Sequence, residues 1–150
     1  MTYEEYIEKN GSLTYSNVGV SMLPLLRQGR DLFTIEKSKS GRYRKYDAVL
    51  YRRPHNGAKN DTQYVLHRII EVRPDSYVIL GDNCVAKEYG IKDSDILGRM
   101  VSITRNGRTI SCDSLSMVIY SRVWVTLAPV RIFARRAKAF VYRRIKRKGR

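Results

Sequence analysis

Ser21 is the residue whose surroundings best suit nucleophilic chemistry. It lies in Asn17–Leu26, which reads Asn-Val-Gly-Val-Ser-Met-Leu-Pro-Leu-Leu. A serine that follows a glycine turn and precedes Met-x-Pro is displayed at the edge of a sheet, with the chain turning away behind it. A serine hydroxyl is a poor nucleophile near neutral pH and needs a base. The chain has two histidines. His55 follows Pro54 in a polar loop, where a solvated surface role suffices. His67 lies within an apolar run, between Leu66 and Arg68, where a lone histidine is ordinarily structural. Cys84 and Cys112 match no zinc or redox spacing, and two cysteines are too few for a disulfide framework. They read as reduced thiols, and the sequence points to no metal or cofactor.

The elements that must position these residues are mostly short strands. Thr2–Lys9 reads as a helix, with Thr2 and Glu5 forming a capping box and Gly11 suiting the stop. Leu13–Val18 is a weak strand leading into the serine turn. Asp31–Glu36, Ala48–Arg52 and Gln63–Val72 are further strands, with turn chemistry at Asn56-Gly57. In Gln63–Val72, alternation puts Val65, His67 and Ile69 on one face and Leu66, Arg68 and Ile70 on the other. The turn Arg73-Pro74-Asp75-Ser76 returns the chain along Tyr77–Leu80 as a hairpin. Gly81-Asp82-Asn83 ends that strand and opens a loop running to Asp95. Ile96–Arg105 and Arg108–Cys112 flank an Asn106-Gly107 hairpin turn. The expected fold is mainly β, an antiparallel sheet body with a short N-terminal helix and a basic C-terminal helix. The expected division is a helix over 1–12, a body over 13–116 and a tail over 117–150.

Hydrophobic content of 43% fits a folded chain, and the length suits one domain. The formal charge of +15 is unevenly spread: Arg122–Arg150 holds eleven Lys or Arg and no acid, which leaves a net +4 in residues 1–121. From Pro129 the pattern becomes helical. Val130, Phe133, Ala134, Ala137, Phe140, Val141 and Ile145 share one side, and Arg131, Arg135, Arg136, Lys138, Arg143, Lys146 and Arg147 the other. Ile132 and Arg144 are exceptions. Such a helix suits an anionic membrane surface. Nucleic acid and simple docking on the body are the alternatives. Aromatic residues on the apolar face favour lipid, because base-stacking aromatics would sit among the cations. Met1–Asn10 has no signal-peptide character, and no stretch approaches the roughly 18 apolar residues of a spanning helix.

Five segments in order carry a resemblance. They are Val-Gly-Val-Ser-Met-Leu-Pro at 18–24, Tyr46–Arg52, Val65-Leu66-His67-Arg68-Ile69-Ile70, Gly81-Asp82-Asn83, and Ile96-Leu97-Gly98-Arg99-Met100-Val101. Together they resemble the successive motifs of type I signal peptidases and of the wider superfamily that includes the self-cleaving repressor-type peptidases. The resemblance implies that family's twisted β body and a serine endopeptidase. The His67-Arg68 pair is similar to the branch found in endoplasmic-reticulum and sporulation-type enzymes, where histidine replaces the lysine base. His67 would then take the Ser21 proton and return it to the leaving amine. Imidazole, with a pKa of about 6.5, is neutral near pH 7.

The same resemblance implies an acid that orients His67. Glu88, six residues after Asp82, occupies the position where relatives usually have aspartate. Asp82 is the second candidate, although pairing with Arg68 would suit it, and Asp93 and Asp95 are further alternatives. Gly19 replaces the serine that membrane signal peptidases commonly carry two residues before the nucleophile. The oxyanion hole is therefore expected from backbone N–H groups of Gly19, Val20 and Ser21. With no crossing segment and a polycationic end, the expected workplace is the cytosolic membrane surface. The expected partner is a peptide or protein substrate. The competing expectations are a self-cleaving or partner-binding regulator, and an inactive peptidase fold that binds membrane or nucleic acid through its tail.

Overall fold

A computed structural model describes residues 1–54 and 62–148. The chain forms α1 (Tyr3–Asn10), β1 (Ser12–Ser16), β2 (Asp31–Glu36), β3 (Ala48–Pro54), β4 (Thr62–Val72), β5 (Tyr77–Leu80), β6 (Glu88–Ile91), β7 (Ile96–Arg105), β8 (Arg108–Ser111), α2 (Leu115–Thr126) and α3 (Ala128–Lys148). The eight strands form one sheet in the order β1-β2-β7-β3-β4-β5-β6, with β8 on β7. Every pairing is antiparallel. The fold is thus mainly antiparallel β, with a short helix before the sheet and helices after it.

Local chemistry explains most of the boundaries. Thr2 caps α1 in a full capping box, and Gly11 closes it in the left-handed region at φ 80°. Asn106 and Gly107 both take positive φ, as a tight hairpin between β7 and β8 requires. The Arg73 N–H bonds Ser76 O at 2.9 Å to close the β4–β5 turn. Gly98 lies where β7 passes close to β2: a Cβ there would sit 2.6 Å from Glu36 O, a backbone atom that cannot yield cheaply.

The sheet is covered on both faces. One core gathers Ile7, Met22, Leu26, Phe33, Ile35, Leu50, Leu66 and Met100. The other gathers Tyr43, Val49, Tyr51, Ile69, Tyr77 and Ile79. Strand β4 feeds both, Leu66 into the first and Ile69 into the second, so His67 between them is only 6% exposed.

Two elements differ from the sequence-based expectation. The stretch from Gly81 to Asp95 is not all loop: Glu88–Ile91 forms the edge strand β6 on β5, with Ile79 opposite Glu88. Helical structure also begins at Leu115, well before Pro129. The two C-terminal helices meet at Leu127 with a 53° bend. Among the described residues no single helix is long and apolar enough to cross a membrane, and only the bent pair taken together meets that length and composition.

Candidate active site

The serine loop is held from behind. Met22 and Leu26 are fully buried plugs in the first core, with Leu25 beside them. Its far limb is stapled by Asp31, whose buried carboxylate accepts from Arg30 Nε at 2.9 Å, Arg105 Nε at 2.8 Å and the Arg27 N–H at 2.8 Å. Burial alone would raise that carboxyl. The two arginines and the amide outweigh burial and hold it well below the usual carboxylate range. Arg105 also donates to Leu25 O at 2.7 Å. In front, the Asn83 N–H donates to Ser21 O at 2.7 Å and Asn83 Nδ2 to Val20 O at 3.0 Å. The Gly-Asp-Asn segment therefore clamps the serine backbone directly.

Ser21, His67, Cys84 and Glu88 line one open cavity of about 870 Å³, whose walls also include Tyr15 and Phe33. Gly81 lets its parts approach. A Cβ on Gly81 would lie 2.9 Å from both His67 Nε2 and Ser21 O, so those atoms are no farther apart than twice that distance. Ser21 Oγ makes no hydrogen bond to His67 in this geometry. The nearest hydrogen-bonding partner of Nε2 is Cys84 Sγ, at 4.0 Å. Hydrogen bonds between nucleophile and base are often open in free enzymes and tighten with substrate.

On its other nitrogen, His67 Nδ1 faces Glu88 Oε1 at 3.3 Å and the Tyr51 hydroxyl at 3.3 Å. Arg53 Nη1 donates to the same Glu88 oxygen at 2.8 Å. A carboxylate at Nδ1 favours the tautomer with its proton there, leaving the Nε2 lone pair toward the cavity. Burial alone would lower the His67 pKa, but the bonds to Cys84 and Glu88 more than offset it, and the imidazole lies above its ordinary 6.5. Burial pushes Glu88 up, whereas His67, Tyr51 and Arg53 together hold it down at about 2. Glu88 is therefore ionised across the working range.

Asp82 occupies a different place. Its carboxylate accepts Arg68 Nε at 2.8 Å, Arg68 Nη2 at 2.9 Å and the Tyr120 hydroxyl at 3.0 Å. It touches Arg68 and α2, not His67. Asp93 pairs with Arg42 and accepts from Tyr77, and Asp95 accepts from the Lys92 N–H. Glu88 is thus the carboxylate that the fold brings to the imidazole. His55 lies outside the described residues.

One expected donor needs correction. The Gly19 N–H is given to Gln28 Oε1 at 2.8 Å, so it does not face the cavity as an oxyanion donor. Gly19 instead provides the left-handed turn at φ 82°. The Val20 and Ser21 N–H groups have no acceptor among the described residues. Sequence reading also missed the residues behind the Gly-Asp-Asn segment. Trp124 Nε1 donates to Asp82 O at 2.9 Å, Arg131 Nη1 donates to the same carbonyl at 2.6 Å, and Arg135 donates to Asn83 O. The Arg131 guanidinium also lies 4.2 Å over the Trp124 ring. No separate motif marks these residues, and the helical pattern groups Arg131 and Arg135 only with the other cations opposite the apolar side.

Glu88→Gln keeps the shape and removes the charge. Without the carboxylate His67 is less basic, so the acid limb of any activity that uses it as a base moves to lower pH. If His67 serves as a general base, the rate at the plateau is expected to fall about 10²–10⁴-fold, because the imidazolium it forms loses its counter-charge. Rate–pH profiles of wild type and variant measure both effects. The chain matches no family model, no curated protein and no solved structure.

Proposed function

We propose that this protein is a serine endopeptidase, as its resemblance to signal peptidases implies, with Ser21 as nucleophile, His67 as general base and Glu88 as the group that orients and charges the imidazole. The observation that carries this reading is the line from Arg53 through Glu88 to His67, opening on the cavity that Ser21 lines. Substrate lies extended in that cavity. Strand β1 is the sheet's terminal strand and runs straight into the serine loop, so its outer edge offers main-chain hydrogen bonds to a peptide. The Val20 and Ser21 N–H groups receive the oxyanion. A serine-reactive fluorophosphonate tests the reading: wild type labels at Ser21, and Ser21→Ala does not. A folded wild type that never labels overturns it. That outcome supports a second reading, a peptidase-like scaffold that binds without cleaving, which the Nε2–Cys84 contact favours.

The workplace we propose is the cytosolic membrane surface, where a precursor or leader peptide would be cut. Val130, Phe133, Phe140, Val141 and Ile145 are all more than half exposed on α3. The sequence from Arg122 onward adds eleven cations and no acid. Docking on the body does not use that apolar side, whereas an anionic interface would. Each cation near such a surface contributes about 1 kcal/mol. Charge reversal of Arg143, Arg144, Lys146 and Arg147, all beyond the contacts to Asp82 and Asn83, therefore lowers partition onto phosphatidylserine vesicles at least 10³-fold. Flotation measures this, and equal flotation of both forms excludes α3 as the anchor.

A further inference from the structure

Cys84 has no part in the serine mechanism, yet it sits at the atom that mechanism needs most. Its Sγ is 4.0 Å from His67 Nε2, and both residues line the same cavity. Two observations separate it from an incidental cysteine. First, His67 is more than nine-tenths buried, and among the described residues the only hydrogen-bonding partner of its Nε2 is this sulfur. Second, the other ring nitrogen already carries the Glu88 carboxylate, which Arg53 holds in turn. Cysteine, histidine and carboxylate thus stand in the order that activates a thiol. Gly81 keeps the arrangement compact, since a Cβ there would fall 2.6 Å from Sγ. Cys112, the second thiol, has no such base. It is half-buried, and burial pushes its thiol up to about 11.

We propose that Cys84 is a second nucleophile of this site, a thiol that His67 deprotonates and that small electrophiles, hydroperoxides in particular, modify. In the step, Nε2 takes the Sγ proton. The thiolate attacks one oxygen of the hydroperoxide, an S–O bond forms and the O–O bond breaks. The departing alkoxide takes the proton from His67 and leaves as the alcohol. Sulfur is oxidised by two electrons to the sulfenic acid, and the peroxide is reduced by the same two. The new S–O group then engages Nε2, so His67 is withheld from Ser21. The silencing of Ser21 rests on the serine-peptidase reading, whereas the reactivity of Cys84 does not.

The test reads the two cysteines separately by mass spectrometry on the full chain, with Cys112 as internal reference. Iodoacetamide and, separately, hydrogen peroxide with a sulfenic-acid trap are expected to modify Cys84 at least tenfold faster than Cys112. His67→Asn is expected to slow Cys84 about tenfold and leave Cys112 unchanged, and a rise in the Cys112 rate would expose a folding defect. Should His67→Asn unfold, Glu88→Gln serves instead and is expected to slow Cys84 in the same sense. Equal rates at the two cysteines, or a Cys84 rate indifferent to both variants, overturns the proposal. Peroxide is expected to abolish fluorophosphonate labelling of wild type but not of Cys84→Ser. Fluorophosphonate labelling that survives full oxidation of Cys84 overturns the silencing step. If wild type never labels at Ser21 while Cys84 still depends on His67, the serine reading fails and the thiol site stands.

Discussion

On the proposed serine-peptidase reading, His67→Ala is expected to slow fluorophosphonate labelling of Ser21 by about 10³–10⁴-fold, and peptide hydrolysis by at least as much. The size follows from the wiring. Proton removal by a positioned base contributes about 10²–10⁴-fold, and the ionised Glu88 behind the ring helps to stabilise the charged imidazolium. Nucleophile and base act as a unit, so the double variant Ser21→Ala/His67→Ala is no slower in hydrolysis than either single variant. Additive losses would mean that Ser21 and His67 serve separate steps. The raised His67 pKa sets the sign of the pH dependence: activity climbs through a value above 6.5, as the imidazolium loses its proton. The same shift acts on stability. The contribution from His67 is complete below 6.5 and is lost as pH rises through the folded value. That from Glu88 is present above 4.5 and fades as pH falls toward about 2.

Asp82→Ala has the largest effect on stability. It leaves the Arg68 guanidinium charged, with a side chain only 4% exposed, and strips the Tyr120 hydroxyl of its acceptor. Removing one partner of a buried ion pair costs about 3–5 kcal/mol, which for a domain of this size lowers Tm by on the order of 10 °C. Replacing both partners by apolar residues, Arg68→Met with Asp82→Leu, restores much of the loss, since the stranded charge goes with them. On the proposed reading Glu88→Gln behaves in the opposite way, with a large loss of labelling rate and a small loss of stability. Urea unfolding of the variants beside their labelling rates separates the two carboxylates. A Glu88 variant as unstable as Asp82→Ala would overturn the division of roles.

The sheet was legible where local chemistry and tertiary packing agree. Asp31–Glu36, Tyr77–Leu80 and Ile96–Arg105 fold with the boundaries their alternation and turns imply. So do the Thr2–Glu5 capping box and the Asn106-Gly107 turn. Strand β6 was not legible, because Glu-Tyr-Gly-Ile carries a glycine at φ 73° and pairs only through its partner β5. Helix α2 was hidden for a related reason. Val118, Ile119, Val123, Trp124 and Val125 have strand-forming side chains, and packing of Tyr120, Ser121 and Trp124 decides the helix. At the site, Ser21 and His67 could be singled out from the sequence, but the partners of His67 could not be fixed. Glu88 comes six residues after Asp82, and only the Ile79–Glu88 pairing brings it back beside β4 and β5. Cys84 has no motif, and its nearness to Nε2 depends on the missing Cβ of Gly81.

The grip of α2 and α3 on Asp82 and Asn83 means that the C-terminal helices are not a detachable module. Arg135 holds Asn83 O, and Asn83 holds the Ser21 and Val20 carbonyls, so the helix and Ser21 are two hydrogen bonds apart. Deleting α3 removes both arginines along with the apolar face, and a foreign anchor fused in its place would restore attachment without restoring the loop. The coupling also runs in both directions. On the proposed reading, whatever fraction of its binding energy a surface spends on fixing α3 would appear as order at Ser21, and a substrate that orders Ser21 would tighten α3 on that surface by the same factor.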